Sequence, residues 1–328
     1  MEEQLEPGFT PRIELNELLQ GKEKLTREIG KMLVGQDRLV ELLLTAILSD
    51  GHILIEGVPG VAKTLTAKLF AKALQLSFSR IQFTPDLMPS DITGTNVFNQ
   101  KKSAFEFKHG PIFANIVLID EINRAPAKTQ AALFECMEER QISVDGTTYP
   151  LDPPFIVIAT QNPVEHEGTY KLPEAQLDRF LFKLDVTYPS FEEEIRILKG
   201  VTTQEISNDL GRINGVISAE ELASFRETTR DVQIDDHLLE YITKIVKNTR
   251  ENPDLYLGAS PRASIGILIG SRSLAAIRGR DFVTPDDIRD VVYSVLNHRV
   301  VLTPEREMEG VSPTVIVNNI INQVEVPR

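Results

Sequence analysis

From Lys22 to Leu48 apolar residues recur at helical spacing: Leu25, Ile29 and Leu33, then Leu39, Leu42, Leu43, Ala46 and Ile47. Gly35 interrupts the run. The pattern therefore predicts two helices with Val34-Gly35-Gln36 between them, closed by a turn at Ser49-Asp50-Gly51. Short apolar runs then alternate with helical stretches, the mark of a parallel α/β sheet. Strands are predicted at 52–56, 78–83, 115–120, 155–160 and 180–186, and helices at 63–76 and 127–139. The run at 115–120 is nearly all apolar, as a strand buried on both faces must be. Two segments break the alternation. Residues 97–107 have a polar centre from Asn99 to Ser103, with Phe105 and Phe107 alternating against Glu106 and Lys108, which predicts an inserted β-hairpin. Residues 142–149 predict a second hairpin around Asp145-Gly146.

Beyond Pro189-Ser190 the pattern is helical to the end, with helices expected at 191–199, 219–228, 236–249, 262–277 and 285–296. The last has a clear start: Thr284 as N-cap, Pro285 at the first position, Asp286 and Asp287 in the first turn. The expected organisation is a loose arm over 1–20, which holds Pro7 and Pro11, an α/β core over 21–189, and an α-helical domain over 190–328.

Composition narrows the function classes. A length of 328 residues suits two domains, and 41% hydrophobic with 25% charged residues argues against disorder as the default. Lys and Arg number 35 against 48 Asp and Glu, so the net charge is 35 − 48 = −13. That total lacks the basic footprint of a duplex binder, and Lys101-Lys102 reads as a solvated hairpin tip. Cys136 lies at helical spacing from Ala132, Leu133 and Met137 and reads as a buried small hydrophobe. Glu2, Glu3 and Glu6 occupy the place of a basic signal-peptide region, and the apolar stretch at 42–48 is too short to span a bilayer. The expectation is a cytoplasmic protein with no membrane span. None of the 5 histidines has metal-ligand spacing to another, and Glu165-His166-Glu167 reads as a solvated loop.

The chemistry concentrates in a few places. Gly57-Val58-Pro59-Gly60-Val61-Ala62-Lys63-Thr64 follows a strand and opens a helix, the setting of a phosphate-binding loop. Backbone N–H groups over 60–64 would wrap phosphates at the positive end of that helix, which continues through Leu65. Lys63 would bridge the β- and γ-phosphates, and the Thr64 hydroxyl would bind Mg²⁺. Ala62 stands where a second glycine is usual, so the loop is expected to ask there for a φ that alanine tolerates. The apolar run ending in Asp120-Glu121 would deliver two carboxylates to the edge of the sheet where open α/β folds bind ligands. Asp120 would hold the Mg²⁺ through its water shell, and Glu121 would accept the proton of an attacking water. No Asn-Lys-x-Asp segment of the guanine-reading type is present, which favours ATP over GTP. Asn162 follows the strand at 155–160 and could orient the water. Arg179 begins the last strand and Arg262 begins a helix; each alone would read as a surface ion pair, Arg179 with Asp178 or Glu174.

The order of these motifs resembles the AAA+ superfamily and, more narrowly, its MoxR family. The resemblance rests on Gly57 to Thr64, Asp120-Glu121-Ile122-Asn123-Arg124-Ala125, Ala159-Thr160-Gln161-Asn162-Pro163, Leu172 to Phe180 and Gly258-Ala259-Ser260-Pro261-Arg262, and it covers about residues 22–310. Alanine at 62 is itself a habit of that family. The resemblance implies a P-loop core with a five-stranded parallel sheet, two inserted hairpins and a helical lid. It implies ATP and Mg²⁺, with Asn162 as sensor 1, Arg179 as arginine finger and Arg262 as sensor 2, the last acting in cis or in trans. Val34 and Gly35 would lie against adenine, and Arg124 is a possible second interface arginine. Similar proteins form hexameric rings and act with von Willebrand factor A-domain partners as maturation chaperones, in metal insertion or complex assembly. Two rivals share parts of this pattern: a magnesium-chelatase-like subunit and a DNA-associated motor, the latter disfavoured by the charge.

Overall fold

The structure, a computed structural model, describes residues 13–58, 60–162, 170–203 and 209–327. Two helices come first, α1 (Asn16–Gly30) and α2 (Asp37–Leu48). The α/β part follows as β1 (Ile53–Gly57), α3 (Lys63–Ala73), β2 (Phe78–Gln82), α4 (Pro89–Thr93), β3 (Gly94–Asn99), β4 (Ala104–His109), β5 (Ile116–Asp120) and α5 (Ala127–Glu139). It continues through β6 (Gln141–Val144), β7 (Thr147–Pro150), β8 (Ile156–Gln161), α6 (Glu174–Leu177) and β9 (Phe182–Val186). The C-terminal part contains α7 (Phe191–Thr202), α8 (Ala219–Asp231), α9 (Asp236–Glu251), β10 (Leu255–Leu257), α10 (Pro261–Ile277) and α11 (Pro285–Leu296). It ends with β11 (Val301–Leu302), α12 (Pro304–Met308) and α13 (Pro313–Gln323).

Five parallel strands form the main sheet in the order β2-β5-β8-β1-β9. Alternate residues face opposite layers. Ile53, Ile55, Ile116, Leu118, Ile156 and Ile158 join one apolar cluster with α1, α2, α3 and the C-terminal helices. Leu54, Val117, Ile119, Val157 and Ala159 join a second cluster with α5. Burial on both faces is why these central strands read as unbroken apolar runs. The polar residues Ser79, Arg80 and Gln82 lie on β2, an edge of the sheet.

The predicted hairpins are β3–β4 and β6–β7. Asp145 and Gly146 both take positive φ, 50° and 79°, the backbone a tight two-residue hairpin turn requires. The hairpins are joined to each other: the Phe107 and Tyr149 rings stack at 4.1 Å, and Asn96 Nδ2 donates to Asp145 Oδ2 at 2.6 Å. Phe98 and Phe105 meet edge to face at 5.2 Å, yet they remain 51% and 72% exposed. Lys101 and Lys102 are exposed in the β3–β4 turn.

Four expectations are corrected. The arm expected over 1–20 is helical from Asn16, because Leu15 and Leu18 are buried and give the segment an apolar stripe to pack; residues 1–12 lie outside the described residues. The C-terminal part is not helical throughout, since β10 and β11 pair antiparallel. The last strand of the main sheet begins at Phe182, so Arg179 stands in the turn before it. Ala62 is left-handed at φ 60°, not in a region alanine adopts freely, at a cost of roughly 1–2 kcal/mol. Cys136 is buried as expected, and burial pushes its thiol up to about 12. No helix among the described residues is long and apolar enough to cross a membrane.

Candidate functional site

The parallel sheet gathers the candidate residues at the C-terminal ends of its strands. Gly57 ends β1, Gln82 ends β2, Asp120 ends β5 and Gln161 ends β8. Lys63, the first residue of α3, reaches back and donates to the carbonyl oxygens of Gly57 at 2.5 Å and Gln161 at 3.3 Å. Its ammonium is thereby held between β1 and β8, directly before Asn162. Asn162 itself is buried.

Asp120 is buried and heavily contacted. Thr64 Oγ1 donates to its Oδ1 at 3.4 Å, Thr160 Oγ1 donates to the same oxygen at 3.2 Å, and Arg80 Nε donates to Oδ2 at 2.6 Å. Glu121 takes a left-handed backbone, φ 58° and ψ 55°, which turns its side chain away from the strand line. Such strain is retained where something compensates it. Here the Glu121 N–H donates to Thr160 Oγ1 at 3.1 Å, Gln82 Nε2 donates to Glu121 Oε2 at 2.8 Å, and Arg124 Nε lies 3.1 Å from that oxygen. The Thr64 hydroxyl and Asp120 carboxylate are hard oxygen donors facing each other, a pair that fits Mg²⁺.

Beside this edge lies a cleft of about 420 Å³, lined among others by Gly35, Leu39, Asp185, Tyr188, Arg289 and Tyr293. That volume is in the range of small-molecule sites. The cleft adjoins the loop, because Val186, which also lines it, packs against Gly57. Gly35 has φ 73°, a backbone that favours glycine, and a Cβ there would have to displace the flexible end of the Glu193 side chain. Val34, half-buried, precedes it. Gly60 to Leu65 complete the described loop and helix start, while Pro59 lies outside the described residues, as does His166 with its neighbours.

Arg179 and Arg262 are not part of this constellation. Arg179 precedes β9, which runs parallel to β1, so it stands at the N-terminal edge of the sheet. A five-residue strand separates the two edges by about 16 Å. Arg179 pairs there with Glu138 of α5, in place of the expected Asp178 or Glu174, and Arg262 Nη2 meets the other oxygen of Glu138 at 2.5 Å. The Nε of Arg179 is buried without a hydrogen-bond partner among the described residues. A depression of about 270 Å³ at this edge is lined by Asp50, Glu138, Arg140, Arg179, Arg262 and Arg299, among others.

Residues 52–182 match the family described as "ATPase family associated with various cellular activities (AAA)", and residues 247–320 match the AAA lid domain. Chaperone MoxR1 of Mycobacterium tuberculosis is 46% identical over 317 residues, covering 93% of this chain and 82% of that protein. The chain belongs to the MoxR family of AAA+ ATPases. YeaC of Bacillus subtilis is 47% identical over 93% of this MoxR-family chain and 94% of its own length. A solved structure of an ATPase candidate from Cytophaga hutchinsonii superposes with a TM-score of 0.87 at 44% identity, covering 95% of this chain and 97% of that one. The fold is thus the α/β P-loop AAA+ core with a helical lid.

Sequence reasoning missed Arg80, Gln82 and Thr160 around the two carboxylates, and Tyr188, Arg289 and Tyr293 around the cleft. Gln82 meets Glu121 only because β2 pairs with β5 in the register Gln82↔Asp120, and no local motif announces that. Arg289 and Tyr293 sit on α11, far along the chain, and reach the cleft through lid packing alone. Thr160 was within reach of inspection, two residues before Asn162 on the same strand end.

Proposed function

We propose that this MoxR-family chain hydrolyses ATP, with Mg²⁺, as a homo-oligomeric six-membered ring that remodels or matures a protein partner. The reading is carried by the convergence of Lys63, Thr64, Asp120, Glu121 and Asn162 on one sheet edge beside the cleft. The adenine base lies in the cleft near Val34 and Gly35. The phosphates run over the N–H groups of 60–64 to Lys63. Thr64 and Asp120 would hold Mg²⁺, which would supply positive charge to the phosphates. Glu121 accepts the proton of the attacking water once Gln82 and Arg124 release it, and Asn162 orients that water.

Arg179 and Arg262 act on the nucleotide of a neighbouring subunit. Their place at the edge opposite their own phosphate loop supports this, and it favours the trans role for Arg262 over the cis one. The exposed Phe98–Phe105 pair and the joined hairpins support contact with a protein partner. The chaperone name of the Mycobacterium tuberculosis relative supports remodelling as the use of the energy. A von Willebrand factor A-domain protein is the partner class proposed, with metal insertion or complex assembly as the setting.

The test separates binding from turnover. Lys63→Ala removes the charge that meets the phosphates, so ATP affinity should fall. Glu121→Gln should keep ATP and lose about 10²–10⁴ in steady-state phosphate release. Equal loss of binding in both, by titration with a fluorescent ATP analogue, would overturn the roles assigned.

A further inference from the structure

The turn that carries Arg179 is held from the lid by one buried arginine. Arg299 follows α11, and only 4% of its side chain is exposed. Its Nη1 donates to the carbonyl oxygens of Leu181 at 3.1 Å and Val295 at 2.6 Å. Its Nη2 donates to those of Asp178 at 3.1 Å and Phe180 at 2.6 Å. Its Nε donates to Asp178 Oδ1 at 2.7 Å. Carbonyls on both sides of Arg179 are therefore fastened to a single planar guanidinium. The neighbouring His298 adds a contact from Nε2 to the Phe180 oxygen at 2.9 Å, and Ser260, which caps α10, donates to Asp178 Oδ2 at 3.1 Å. Burial acts against the Arg299 charge, and Asp178 supports it.

This mount has more than a packing consequence. A burial-driven contact would be satisfied by any apolar side chain of the same volume. Four directed hydrogen bonds spent on one four-residue turn, with a fifth to Val295 of α11, fix its orientation instead, and a lysine offers only a point of charge there. The mount also belongs to the helix that lines the nucleotide cleft: Arg289 and Tyr293 face the cleft from α11, and Asn297 Nδ2 lies 3.3 Å from Asp185 Oδ2 at the cleft end of β9.

We propose that Arg299 is a positioning residue that sets the aim of Arg179 toward the neighbouring subunit's nucleotide. The inference rests on the reading of Arg179 as a residue working in trans. Misplacing a reacting group by about 1 Å can cost about a hundredfold in rate, so the loss appears in kcat rather than in binding.

The experiment uses full-length assemblies. Arg299→Met should bind a fluorescent ATP analogue within about twofold of wild type, while kcat falls between about tenfold and a hundredfold. Arg299→Lys, which keeps a charge opposite Asp178, should fall less; it carries the test if the methionine variant does not assemble. Each variant is then mixed with Glu121→Gln subunits, which cannot turn over but supply an intact Arg179 and its mount. Activity should recover in part, because sites with a sound Glu121 then meet a sound finger. Arg179→Ala mixed with Glu121→Gln is the control and should recover likewise. Wild-type kcat in both Arg299 variants overturns the proposal and leaves the Arg179 reading intact. So does a low kcat that fails to recover in a mixture where the control does, since Arg299 would then act within its own subunit. Failure of the control, in mixtures shown by sizing to exchange subunits, removes the Arg179 reading and this inference together.

Discussion

The two edges of the sheet are both charged but differently built. At the C-terminal edge Lys63 lies among carbonyls and two carboxylates lie within hydrogen-bond reach of Thr64, Thr160, Gln82 and Arg80. These contacts are ones that a nucleotide and a metal ion can take over. At the N-terminal edge Arg179 and Arg262 share Glu138, Arg140 and Arg226 share Asp50, and Arg299 is buried on Asp178. In the proposed function the first edge offers ligands to a phosphate chain and covers one side of it. The second offers cations with no phosphate of its own chain in reach. On the proposed reading the difference teaches that one chain carries two complementary halves of a site, separated by the length of a strand. A ring that sets one edge against the next brings them together, which is the geometric argument for the proposed oligomer.

The largest expected effect breaks this comparison outright. Arg179→Ala should leave nucleotide affinity unchanged, because the residue is remote from its own loop, and should lower phosphate release by roughly 10³–10⁵. A variant that loses affinity as Lys63→Ala does would place Arg179 at its own chain's site and dissolve the distinction between the edges.

The second effect is one of stability and pH. His52 sits at the N-terminal edge, where the Val157 N–H donates to its Nδ1 at 3.0 Å and its Nε2 meets the Met137 oxygen at 3.1 Å. Burial, and then Arg140, hold its pKa down to about 4. The unfolded histidine, near 6.5, takes a proton that the folded one refuses. The contribution of His52 to stability is therefore level above about pH 6.5 and falls as pH drops toward about 4, by about 3 kcal/mol over that window. His298, also buried and held well below its ordinary value by burial and Arg299, acts in the same direction. His52→Gln should flatten the fall of melting temperature between pH 7 and pH 4.5. Parallel curves for the two proteins would show that the histidine does not set this dependence.

The smallest expected effect on turnover comes from a region that belongs to neither edge. Replacing hairpin residues 99–103 by a short glycine-serine turn should change ATP affinity and basal phosphate release by less than about twofold, since surface changes away from the core alter little. Remodelling of a protein partner should nevertheless be impaired. An unchanged remodelling rate would separate the Phe98–Phe105 pair from partner contact.

Much of this is legible in the sequence. The helix at 127–139 was bounded to the residue: Pro126 precedes it with φ −59° and ψ 153°, and Arg140 leaves it left-handed. The α11 start was equally clear: Thr284 is the N-cap its sequence spelled out, with its Oγ1 accepting from the Asp287 N–H at 3.4 Å, and the structure adds the reciprocal bond from the Thr284 N–H to the Asp287 carboxylate at 2.9 Å. Lys63, Asp120 and Glu121 were readable because each sits at a strand end beside a local motif. Ala62 was misjudged, since the sequence has no means of stating that the loop's geometry will outweigh alanine's reluctance to adopt positive φ. Arg179 was assigned the wrong intrachain partner because Glu138 is 41 positions away and becomes adjacent only when α5 packs beside the turn.

What the sequence determined by itself, then, is everything governed by short range: helical and strand periodicity, caps, hairpin turns, and the motif order that marks a P-loop ATPase family. Those depend on residues a few positions apart, whose spacing directly sets which face or turn they share. Only the tertiary structure decided the strand order β2-β5-β8-β1-β9, the meeting of Gln82 with Glu121, the cleft closed by α11, and the grip of Arg299 on the Arg179 turn. The Arg299 grip joins positions 119 apart, through Nη2 and the Phe180 oxygen. Its energy depends on how sheet and helices bury their apolar faces against one another, which no local pattern encodes.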